Sequence, residues 1–330
     1  MSGPILLTGA LGFIGSTLAR GLAAEHTVVN LDAHTYAGDP RRLEGLSDGS
    51  VTTVRGDVAE AGDVAAVLAT HRPDVIVHFA AESHVTRSES DPDVFYRTNV
   101  AGTRVLFDAA VDAGVKRVIH VSTDEVYGPC SGRPFGEDRK GPGVGAATSD
   151  YARSKALADD IALSYRDRVE VIVARPTNCF GPWQHPEKAV ARWTIRALER
   201  RPLPVWGDGG HVRDWMYVDD ACSAIALLLE RGRPGLAYNV GPQAGARSNR
   251  QVATTVAEAA GRPSNLVTTS TYDRPQHDRR YAVDCSRIRE LGWAPTVNFD
   301  EGIARTVVWY ANHAEWWSTM VPDAEALYAD

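Results

Sequence analysis

Near its start the chain reads Thr8-Gly9-Ala10-Leu11-Gly12-Phe13-Ile14-Gly15, with a glycine at every third position from residue 9 to residue 15. The apolar run Ile5-Leu6-Leu7 precedes this stretch, and residues 16–24 have the composition of a helix. Glycines between a strand and a helix allow a tight turn and let the backbone approach a pyrophosphate, which then lies at the helix N-terminus. The stretch therefore predicts that the chain opens with a dinucleotide-binding strand–helix unit.

A second predicted strand, residues 28–32, ends in the carboxylate of Asp32, which lies 23 residues after Gly9. A carboxylate at this spacing accepts hydrogen bonds from the adenosine ribose and would repel a 2′-phosphate, so the pattern favours NAD over NADP. Asp57, which follows the next strand, is a candidate for the adenine amino group, although a turn carboxylate is nearly as good an alternative. We expect NAD to contact Gly9, Leu11, Gly12, Phe13, Ile14, Gly15, Asp32, Asp57, Val58, Ala80, Ala81, Asn99, Tyr151 and Lys155.

The composition is that of an ordinary globular protein. The 330 residues are 44% apolar and 23% charged, and the net charge of −7 gives no electrostatic footprint for nucleic acid or an anionic membrane. The four cysteines are scattered without metal-ligand spacing, so we expect reduced thiols, no metal site and a cytosolic environment. No apolar stretch is long enough to span a bilayer, and the amino end lacks a signal-peptide pattern. The sequence therefore predicts a cytoplasmic protein.

Short apolar strands alternate with helical patterns along the first half of the chain, which predicts a parallel sheet. We expect an α/β fold, with a doubly wound parallel sheet of the Rossmann type and a smaller α/β substrate lobe. Residues 175–188 are rich in turn formers, and all eight tryptophans follow residue 182. The predicted domains are therefore residues 1–176 for NAD, with 212–240 returning to that domain, and mainly residues 177–330 for the substrate.

The candidate catalytic residues lie in two stretches. Ser122-Thr123-Asp124-Glu125-Val126-Tyr127-Gly128 follows the apolar run 118–121, which predicts a hydroxyl and two acids at the carboxyl end of a buried strand, where ligands of parallel sheets bind. Tyr151 and Lys155 are four residues apart and would share one face of a helix. Each pattern alone is weak, because acid pairs often cap helices and a Tyr-x-x-x-Lys spacing occurs by chance. Together with the dinucleotide motif they predict a catalytic set.

These motifs resemble those of a known family. The glycine spacing, the hydroxyl of Thr123 and the Tyr151/Lys155 pair resemble the extended short-chain dehydrogenase/reductases, and residues 123–128 resemble their nucleotide-sugar 4,6-dehydratases. Residues 80–85, 178–188, 213–215 and 274–281 also look like segments of that group. The resemblance implies a homodimer joined through a four-helix bundle, with residues 99–113 and 151–165 as its helices.

The resemblance also implies a reaction on a nucleotide hexose, with dTDP-glucose as the first expectation. Tyr151, assisted by Lys155 and Thr123, would remove the 4-hydroxyl proton while hydride passes from C4 to NAD. Glu125 would then take the C5 proton, and Asp124 would protonate the departing 6-hydroxyl. Hydride would return to C6. Adjacent acids suit this scheme because each pushes the pKa of the other away from its own.

The outer parts of the substrate would need other partners. Arg213 and Arg274 are candidates for the diphosphate, since arginine binds phosphate oxygens bidentately. Trp206 could stack on the base or be a core residue, and Glu82 and His84 could contact the sugar or only fix a loop. The full set of expected substrate contacts is Glu82, Ser83, His84, Asn178, Glu187, Lys188, Trp206, Arg213, Arg274 and His277.

Two other functions stay open. A nucleotide-sugar 4-epimerase or a decarboxylase of the same family shares the NAD site and the Tyr-x-x-x-Lys pair, but neither needs Asp124 and Glu125. A non-catalytic protein that binds NAD or a nucleotide sugar would need no acid/base set at all. The residues therefore favour the dehydratase over both alternatives.

Overall fold

The computed structural model describes residues 3–138, 147–242, 245–270 and 277–328. Its strands are β1 (Ile5–Thr8), β2 (Val28–Asp32), β3 (Val51–Arg55), β4 (Val75–His78), β5 (Arg117–Val121), β6 (Glu170–Pro176), β7 (Asn178–Phe180), β8 (Leu203–Trp206), β9 (Val212–Tyr217), β10 (Ala237–Val240), β11 (Ala246–Ser248) and β12 (Val267–Ser270). Its α-helices are α1 (Phe13–Leu22), α2 (Ala61–His71), α3 (Val85–Ser90), α4 (Pro92–Phe95), α5 (Gly102–Asp112), α6 (Asp150–Ser164), α7 (Ala189–Leu198), α8 (Val218–Arg231), α9 (Asn249–Ala259), α10 (Ser286–Glu290), α11 (Phe299–Asn312), α12 (Ala314–Trp317) and α13 (Val321–Ala326). Short 3₁₀ turns cover Pro40–Leu43, Asp124–Tyr127, Ser264–Leu266 and Ser318–Met320, and a π-helical segment covers Tyr96–Ala101.

The main sheet is parallel, and within the described ranges it has seven strands in the order β10-β6-β5-β4-β1-β2-β3. From β1 the chain builds outward through β2 and β3, and from β4 it builds outward through β5, β6 and β10. The direction therefore reverses between β1 and β4, where Ile5 lies opposite Val75. Such a reversal opens a crevice at the carboxyl ends of the strands. The predicted doubly wound parallel sheet is confirmed.

Helices cover both faces of this sheet. Helices α1 and α8 pack on one face, with Leu18 and Ile225 in the same buried apolar cluster. Helices α2, α5 and α6 cover the other face, where Leu68 and Phe107 belong to a second cluster. Because both faces are covered, the inner strands are mostly apolar and do not alternate in polarity, whereas the edge strand β3 contains two exposed threonines. This continuous apolar character is the feature that identified them in the sequence.

A smaller set of elements packs beside the sheet around its own core, which includes Phe180, Trp193 and Ile303. Strand β9 lies between β7 and β11, and β8 pairs with β12 in parallel. The predicted helix at residues 299–312 is confirmed as α11. The pairing of β8 with β12 was not foreseen, because β8 is four residues long and contains Pro204.

Two predicted helices carry the site residues Tyr151 and Lys155 and the expected NAD contact Asn99. The helix expected over residues 151–165 is α6, and the Ser149 hydroxyl caps its N-terminus by accepting a hydrogen bond from the Ala152 N–H. The helix expected over residues 99–113 begins earlier, because α4 and the π-helical segment continue directly into α5. π-Helical segments are frequently found at functional sites.

Several general features of the molecule bear on its class. In the described part of the chain, no helix is both long enough and apolar enough to cross a membrane. Within the same ranges, no group of three or more His, Cys, Asp or Glu side chains is arranged to hold a metal ion. All four cysteines are free thiols, as expected from their spacing.

Candidate active site

A cavity of about 400 Å³ opens at the reversal point between β1 and β4. The glycines of the opening motif shape one of its ends. Gly9 has a φ of +76°, and a Cβ there would lie 2.8 Å from the Ala80 backbone nitrogen. A Cβ on Gly15 would lie 2.6 Å from the Gly9 carbonyl oxygen. Only glycine therefore allows β1, α1 and the strand end at Ala80 to approach so closely.

The N-terminus of α1 points into the same cavity. Gly12 is the N-cap residue and offers no side-chain hydrogen bond to the first turn. Residues of this turn line the cavity together with Asp32, Asp57, Val58, Ala80 and Ala81. A helix N-terminus with uncapped N–H groups suits a pyrophosphate, and the carboxylate at the end of β2 suits a ribose. These residues fit a dinucleotide.

The Asp32 carboxylate is held by the backbone. Its Oδ2 accepts a hydrogen bond from the Leu11 N–H at 2.9 Å, and its Oδ1 accepts one from the His34 N–H at 2.9 Å. A carboxylate oxygen has room for further hydrogen bonds, so a ribose hydroxyl can still donate to Asp32. The Leu11 side chain is fully buried behind the cavity wall, so only its backbone takes part in this arrangement.

Asp57 and Asn99 have structural partners of their own. Asp57 accepts hydrogen bonds from the Ala59 N–H at 2.8 Å and from Arg97 at 2.6 Å, while still lining the cavity. The buried Asn99 side chain accepts from the Glu82 N–H and donates to the Glu82 carbonyl. The structure therefore places Asn99 behind the cavity wall, where it fixes the backbone of Glu82.

Arg42 is a cavity residue that the sequence pattern did not indicate. It is 1% exposed, and its guanidinium donates to the carbonyl oxygens of Leu11, Ala37 and Trp183. Burial lowers the pKa of Arg42 to about 10. It ties the loop after β2 to the loop after β7. An arginine in a polar loop is ordinarily a surface residue, so the residues around Arg42 did not indicate that it would be buried between the two loops.

The acids lie where the sequence predicted, at the carboxyl end of β5. Thr123 caps the 3₁₀ turn by accepting a hydrogen bond from the Glu125 N–H at 3.2 Å, and it donates to Asp124 Oδ1 at 3.3 Å. Burial and the neighbouring Glu125 raise the pKa of Asp124 to about 8. Asp124 Oδ2 is buried and has no hydrogen-bond partner in the described part of the protein. The raised pKa of Asp124 favours its protonated form, whereas Glu125 is half-buried.

Helix α6 brings Tyr151 and Lys155 to the same cavity. Lys155 Nζ donates to the Val121 carbonyl oxygen at 2.9 Å, and burial lowers the pKa of Lys155 to about 8. Burial and the negative charge of Glu125 raise the pKa of Tyr151, while a hydrogen bond with Thr123 opposes this shift. The two side chains share one helix face, as predicted, with Lys155 bonded to the strand.

A second cavity, of about 190 Å³, adjoins the first. Ser83, Glu125, Asn178, Glu187 and Lys188 line both cavities. The second is lined in addition by the predicted substrate residues His84, Trp206, Arg213 and His277, whereas Glu82 lines the first. Trp206 is half-buried in the cavity wall and is not a core residue. Arg274 lies outside the described residues.

Several predicted substrate residues are already held by the protein. Arg213 donates to the carbonyl oxygens of Val212 and Asp278, and its guanidinium lies 4.2 Å from the centre of the Tyr281 ring. His84 caps α3, and its Nε2 lies 3.1 Å from the Tyr328 hydroxyl. These contacts orient the side chains along the cavity wall. A loop-fixing role for His84 is thus compatible with a place in the cavity.

Tyr281 was not singled out from the sequence, although it closes the segment 274–281 that carried part of the resemblance. Its hydroxyl donates to Asp278 Oδ2 at 2.7 Å and lies 3.4 Å from Glu125 Oε2. Asp278 also accepts a hydrogen bond from the Thr148 hydroxyl at 2.6 Å. Tyr328 lines the second cavity as well, and no motif pointed to it.

The fold and this arrangement define an enzyme of the dinucleotide-dependent, Rossmann-type class, with an acid/base set beside the cofactor cavity. A family model described as the NAD dependent epimerase/dehydratase family matches residues 5–241. The chain belongs to this family, and its cofactor is NAD.

Individual relatives are similar over nearly their whole length. A dTDP-glucose 4,6-dehydratase of Streptomyces griseus is 42% identical over 331 residues, which cover 98% of this chain and 98% of that protein. The crystal structure of the dTDP-glucose 4,6-dehydratase DesIV of Streptomyces venezuelae, with NAD bound, has a TM-score of 0.90 and 41% identity, covering 96% of this chain and 99% of that one. A UDP-glucose 4-epimerase of Thermus thermophilus, in complex with NAD, has a TM-score of 0.85 and 29% identity, covering 94% and 99%.

Proposed function

We infer that this chain catalyses the NAD-dependent dehydration of dTDP-glucose to the 4-keto-6-deoxy sugar. The observation that carries this conclusion is the pair of adjacent acids in different environments at the end of β5. Asp124 is buried and its pKa is raised to about 8, and Glu125 is half-buried beside it. Elimination of water needs one group that donates a proton and one that accepts one. The similarity to dTDP-glucose 4,6-dehydratases supports the same reaction.

The first step is oxidation at C4 of the sugar. When bound, NAD supplies the hydride acceptor for C4, later the hydride donor for C6, and a positive charge near Tyr151. Tyr151 takes the 4-hydroxyl proton, and Thr123 hydrogen-bonds the same sugar oxygen. Tyr151 has an ordinary pKa of about 10 and is buried, so its ionisation depends on nearby positive charge. The Lys155 ammonium contributes part of that charge.

The second step is elimination across C5 and C6. The new 4-ketone acidifies the C5–H, and the Glu125 carboxylate accepts that proton. Asp124 donates its proton to the 6-hydroxyl, which leaves as water. Glu125 returns a proton to C5 when hydride reaches C6. The unpartnered Oδ2 of Asp124 is the atom we place next to the leaving hydroxyl.

The second cavity is our proposed site for the nucleotide. Trp206 is the proposed stacking partner of the base, and Arg213 and His277 line the same cavity. Glu187 is one of the proposed sugar contacts, and its surroundings favour its charged form. Burial acts to raise its pKa, but neighbouring Lys188 and histidines outweigh this and lower it. We also propose Arg274 for the diphosphate, on the resemblance alone.

We further propose a cytoplasmic homodimer with two functional domains. Residues 1–176, together with 212–240, would bind NAD, and most of residues 177–330 would bind the nucleotide sugar. The pairing of β10 with β6 supports the return of the chain to the first domain. The half-buried apolar side chain of Leu157 on α6 supports the proposed place of α5 and α6 in a four-helix bundle.

The reaction can be tested by separating its steps with two variants. Tyr151→Phe should block the first hydride transfer, so that no reduced cofactor forms in a single turnover with dTDP-glucose. Glu125→Gln should allow oxidation but slow elimination by about 10²–10⁴-fold, since general base catalysis is removed. Absorbance of the reduced cofactor and mass spectrometry of the sugar measure the two steps.

Tyr165→Phe is the matched control, because the Tyr165 hydroxyl donates to Asp108 far from the cavity. It should behave like the wild type. In deuterated water, the base that removes the C5 proton allows solvent deuterium to enter C5 of the product. If Glu125→Gln eliminates water and incorporates deuterium at C5 at the wild-type rate, Glu125 is not that base. A 4-epimer as the wild-type product would instead establish the epimerase function of the structural relatives.

A further inference from the structure

A buried ion pair lies beneath the catalytic helix. Asp159 is on α6, one helical turn after Lys155, and its Oδ2 accepts a hydrogen bond from Arg175 Nε at 2.8 Å. The two side chains are 4% and 10% exposed. A buried ion pair is weak evidence for added stability, because removing two charges from water costs about as much as their attraction returns. No step of the proposed reaction uses this pair, so its presence needs another explanation.

Arg175, on β6, connects the pair to the turn that carries the acids. Its Nη1 donates to the Tyr127 hydroxyl at 2.6 Å, and Tyr127 donates to Asn239 Oδ1 at 2.9 Å. Tyr127 is the last residue of the 3₁₀ turn that begins at Asp124. Asp159, Arg175 and Tyr127 thus form one continuous contact, the buried bridge, between α6 and the turn. The bridge therefore connects the helix that carries Tyr151 and Lys155, proposed for oxidation, to the turn that carries the two acids proposed for elimination.

The same aspartate acts on the charge of Lys155. Burial lowers the pKa of Lys155 to about 8, and the negative charge of Asp159 opposes this shift. Burial acts to raise the pKa of Asp159, but Arg175 and His120 outweigh it and lower the pKa to about 2. Asp159 is therefore ionised at every pH at which the enzyme would work.

Other titratable groups surround Lys155. His78 on β4 and His120 on β5 are fully buried, and burial lowers the pKa of both, so they are neutral at pH 7. Their pKa values are lowered further by the charge of Lys155 itself. On the cavity side, Lys155 shares the wall with Tyr151 and the two acids of the 3₁₀ turn. On the side away from the cavity, Asp159 supplies the negative charge, with Arg175 of β6 as its partner.

We propose that Asp159 is a positioning residue, which holds the two catalytic groups together through the buried bridge and stabilises the Lys155 ammonium by its charge. This inference rests on the proposed dehydratase function and deepens it. Asp159 touches neither the substrate nor the cofactor in this scheme. It acts through Lys155 on one side and through Arg175 and Tyr127 on the other.

The first test is the pH profile of Asp159→Asn, a nearly isosteric change that removes the charge and replaces one acceptor oxygen with an NH₂ donor. In the variant, the rate of reduced-cofactor formation in a single turnover should begin to fall on the alkaline side at a pH about one unit lower than in the wild type. The reason is that an opposite charge at close range shifts a pKa, here that of Lys155, by about one unit or more. Asp220→Asn is the control. The Asp220 carboxylate is 1% exposed and accepts hydrogen bonds from the backbone of Thr296 and Val297, away from the cavity. Its loss should therefore leave the alkaline part of the pH profile unchanged.

The second test measures Lys155 directly and needs no turnover. The chain contains four lysines, so NMR of ¹³C-labelled lysine side chains gives few signals, and a Lys155→Arg spectrum assigns the relevant one. Asp159→Asn should lower the titration midpoint of Lys155 by about one unit. An unchanged midpoint in a folded variant overturns the charge role. This result is independent of whether the wild type dehydrates dTDP-glucose.

Tyr127→Phe tests the bridge without touching the charge. Removal of one buried hydroxyl should slow elimination about tenfold through misplacement of the acids, while the alkaline limb and the KM of dTDP-glucose stay as in the wild type. Wild-type rates of both steps in Tyr127→Phe overturn the positioning role, even if Asp159→Asn does not fold. Failure of the wild type to form a 4-keto-6-deoxy sugar would count against the proposed function instead.

Discussion

Residues 124 and 125 are neighbours in the chain with the same charged group, yet they have different surroundings. Asp124 is 3% exposed in the wall of the cavity, whereas Glu125 is half-buried and faces Tyr281. Burial penalises a charge, and a second carboxylate nearby adds to the penalty, so the deeper acid keeps its proton. In the proposed reaction, this difference in environment would separate the acid role of Asp124 from the base role of Glu125.

Asp32 should determine the choice of cofactor. Its carboxylate lies at the end of β2 and would repel a 2′-phosphate, so the wild type should bind NAD much more tightly than NADP. Asp32→Ser should weaken NAD binding by about tenfold or more, since a hydrogen bond to a charged group contributes about 1.5–3 kcal/mol. The same variant should show a smaller difference between its affinities for NAD and NADP. Titration calorimetry with both dinucleotides measures the change.

Asp48→Asn is the comparison for Asp32→Ser. Asp48 is an exposed carboxylate in the turn before β3 and outside the cavity lining, so its loss should leave both dinucleotide affinities unaltered. Equal affinities of the wild type for NAD and NADP would contradict the role given to Asp32.

At the scale of elements, α6 serves two parts of the molecule at once. Its inner face carries Tyr151, Lys155 and Asp159, all buried against the sheet. Its outer face carries Leu157, which is half-buried although it belongs to neither apolar cluster of the sheet. An apolar side chain in that position suits a second copy of the chain, which would also stiffen the helix that orients the catalytic pair.

The dimer is testable through that outer face. Light scattering should give twice the chain mass of 35.7 kDa for the wild type. Leu157→Arg should shift the equilibrium to the monomer, because a charge would have to be buried in the interface. Val308→Arg is the control, since Val308 is 60% exposed on α11. A monomeric wild type at working concentration would contradict the four-helix bundle.

At the scale of the whole molecule, buried ionisable groups make stability depend on pH. His78, His120 and His185 are buried, and burial lowers the pKa of each; for His120 and His185 the values are about 4. An unfolded histidine has a pKa of about 6.5. The unfolded chain therefore binds more protons at these sites between about pH 6.5 and 4. Their contribution to stability is complete above pH 6.5 and is lost as the pH falls.

His185→Gln isolates one of these groups. The free energy of unfolding of the wild type should fall by about 1.4 kcal/mol more per pH unit, below pH 6.5, than that of the variant. Urea unfolding followed by fluorescence at pH 7.5, 6 and 5 measures the difference. The exposed His34 gives a comparison in His34→Gln, which should keep the wild-type slope. Parallel slopes for the wild type and His185→Gln would contradict the burial argument.

Local sequence patterns were enough to predict which strands, turns and helices surround the site. The glycine spacing from residue 9 to residue 15, the apolar runs and the Tyr151–Lys155 spacing each depend on contacts between near neighbours in the chain. The strand ends, the cofactor crevice and the position of Thr123 beside it followed from the rule that parallel strands present their carboxyl ends at one edge. The larger part of the sheet and of the cofactor cavity could thus be inferred from the sequence.

The environment of each group was decided only by the tertiary structure. Tyr281 meets Glu125 across 156 positions of sequence, Arg42 crosses to the carbonyl oxygen of Trp183, and Arg175 joins two elements to form the buried bridge. No periodicity encodes such contacts, because they arise when distant segments pack. By itself the sequence determined which chemical groups reach the crevice. The packing determined their charge and orientation, since a pKa depends on burial and on neighbours that only the folded chain brings together.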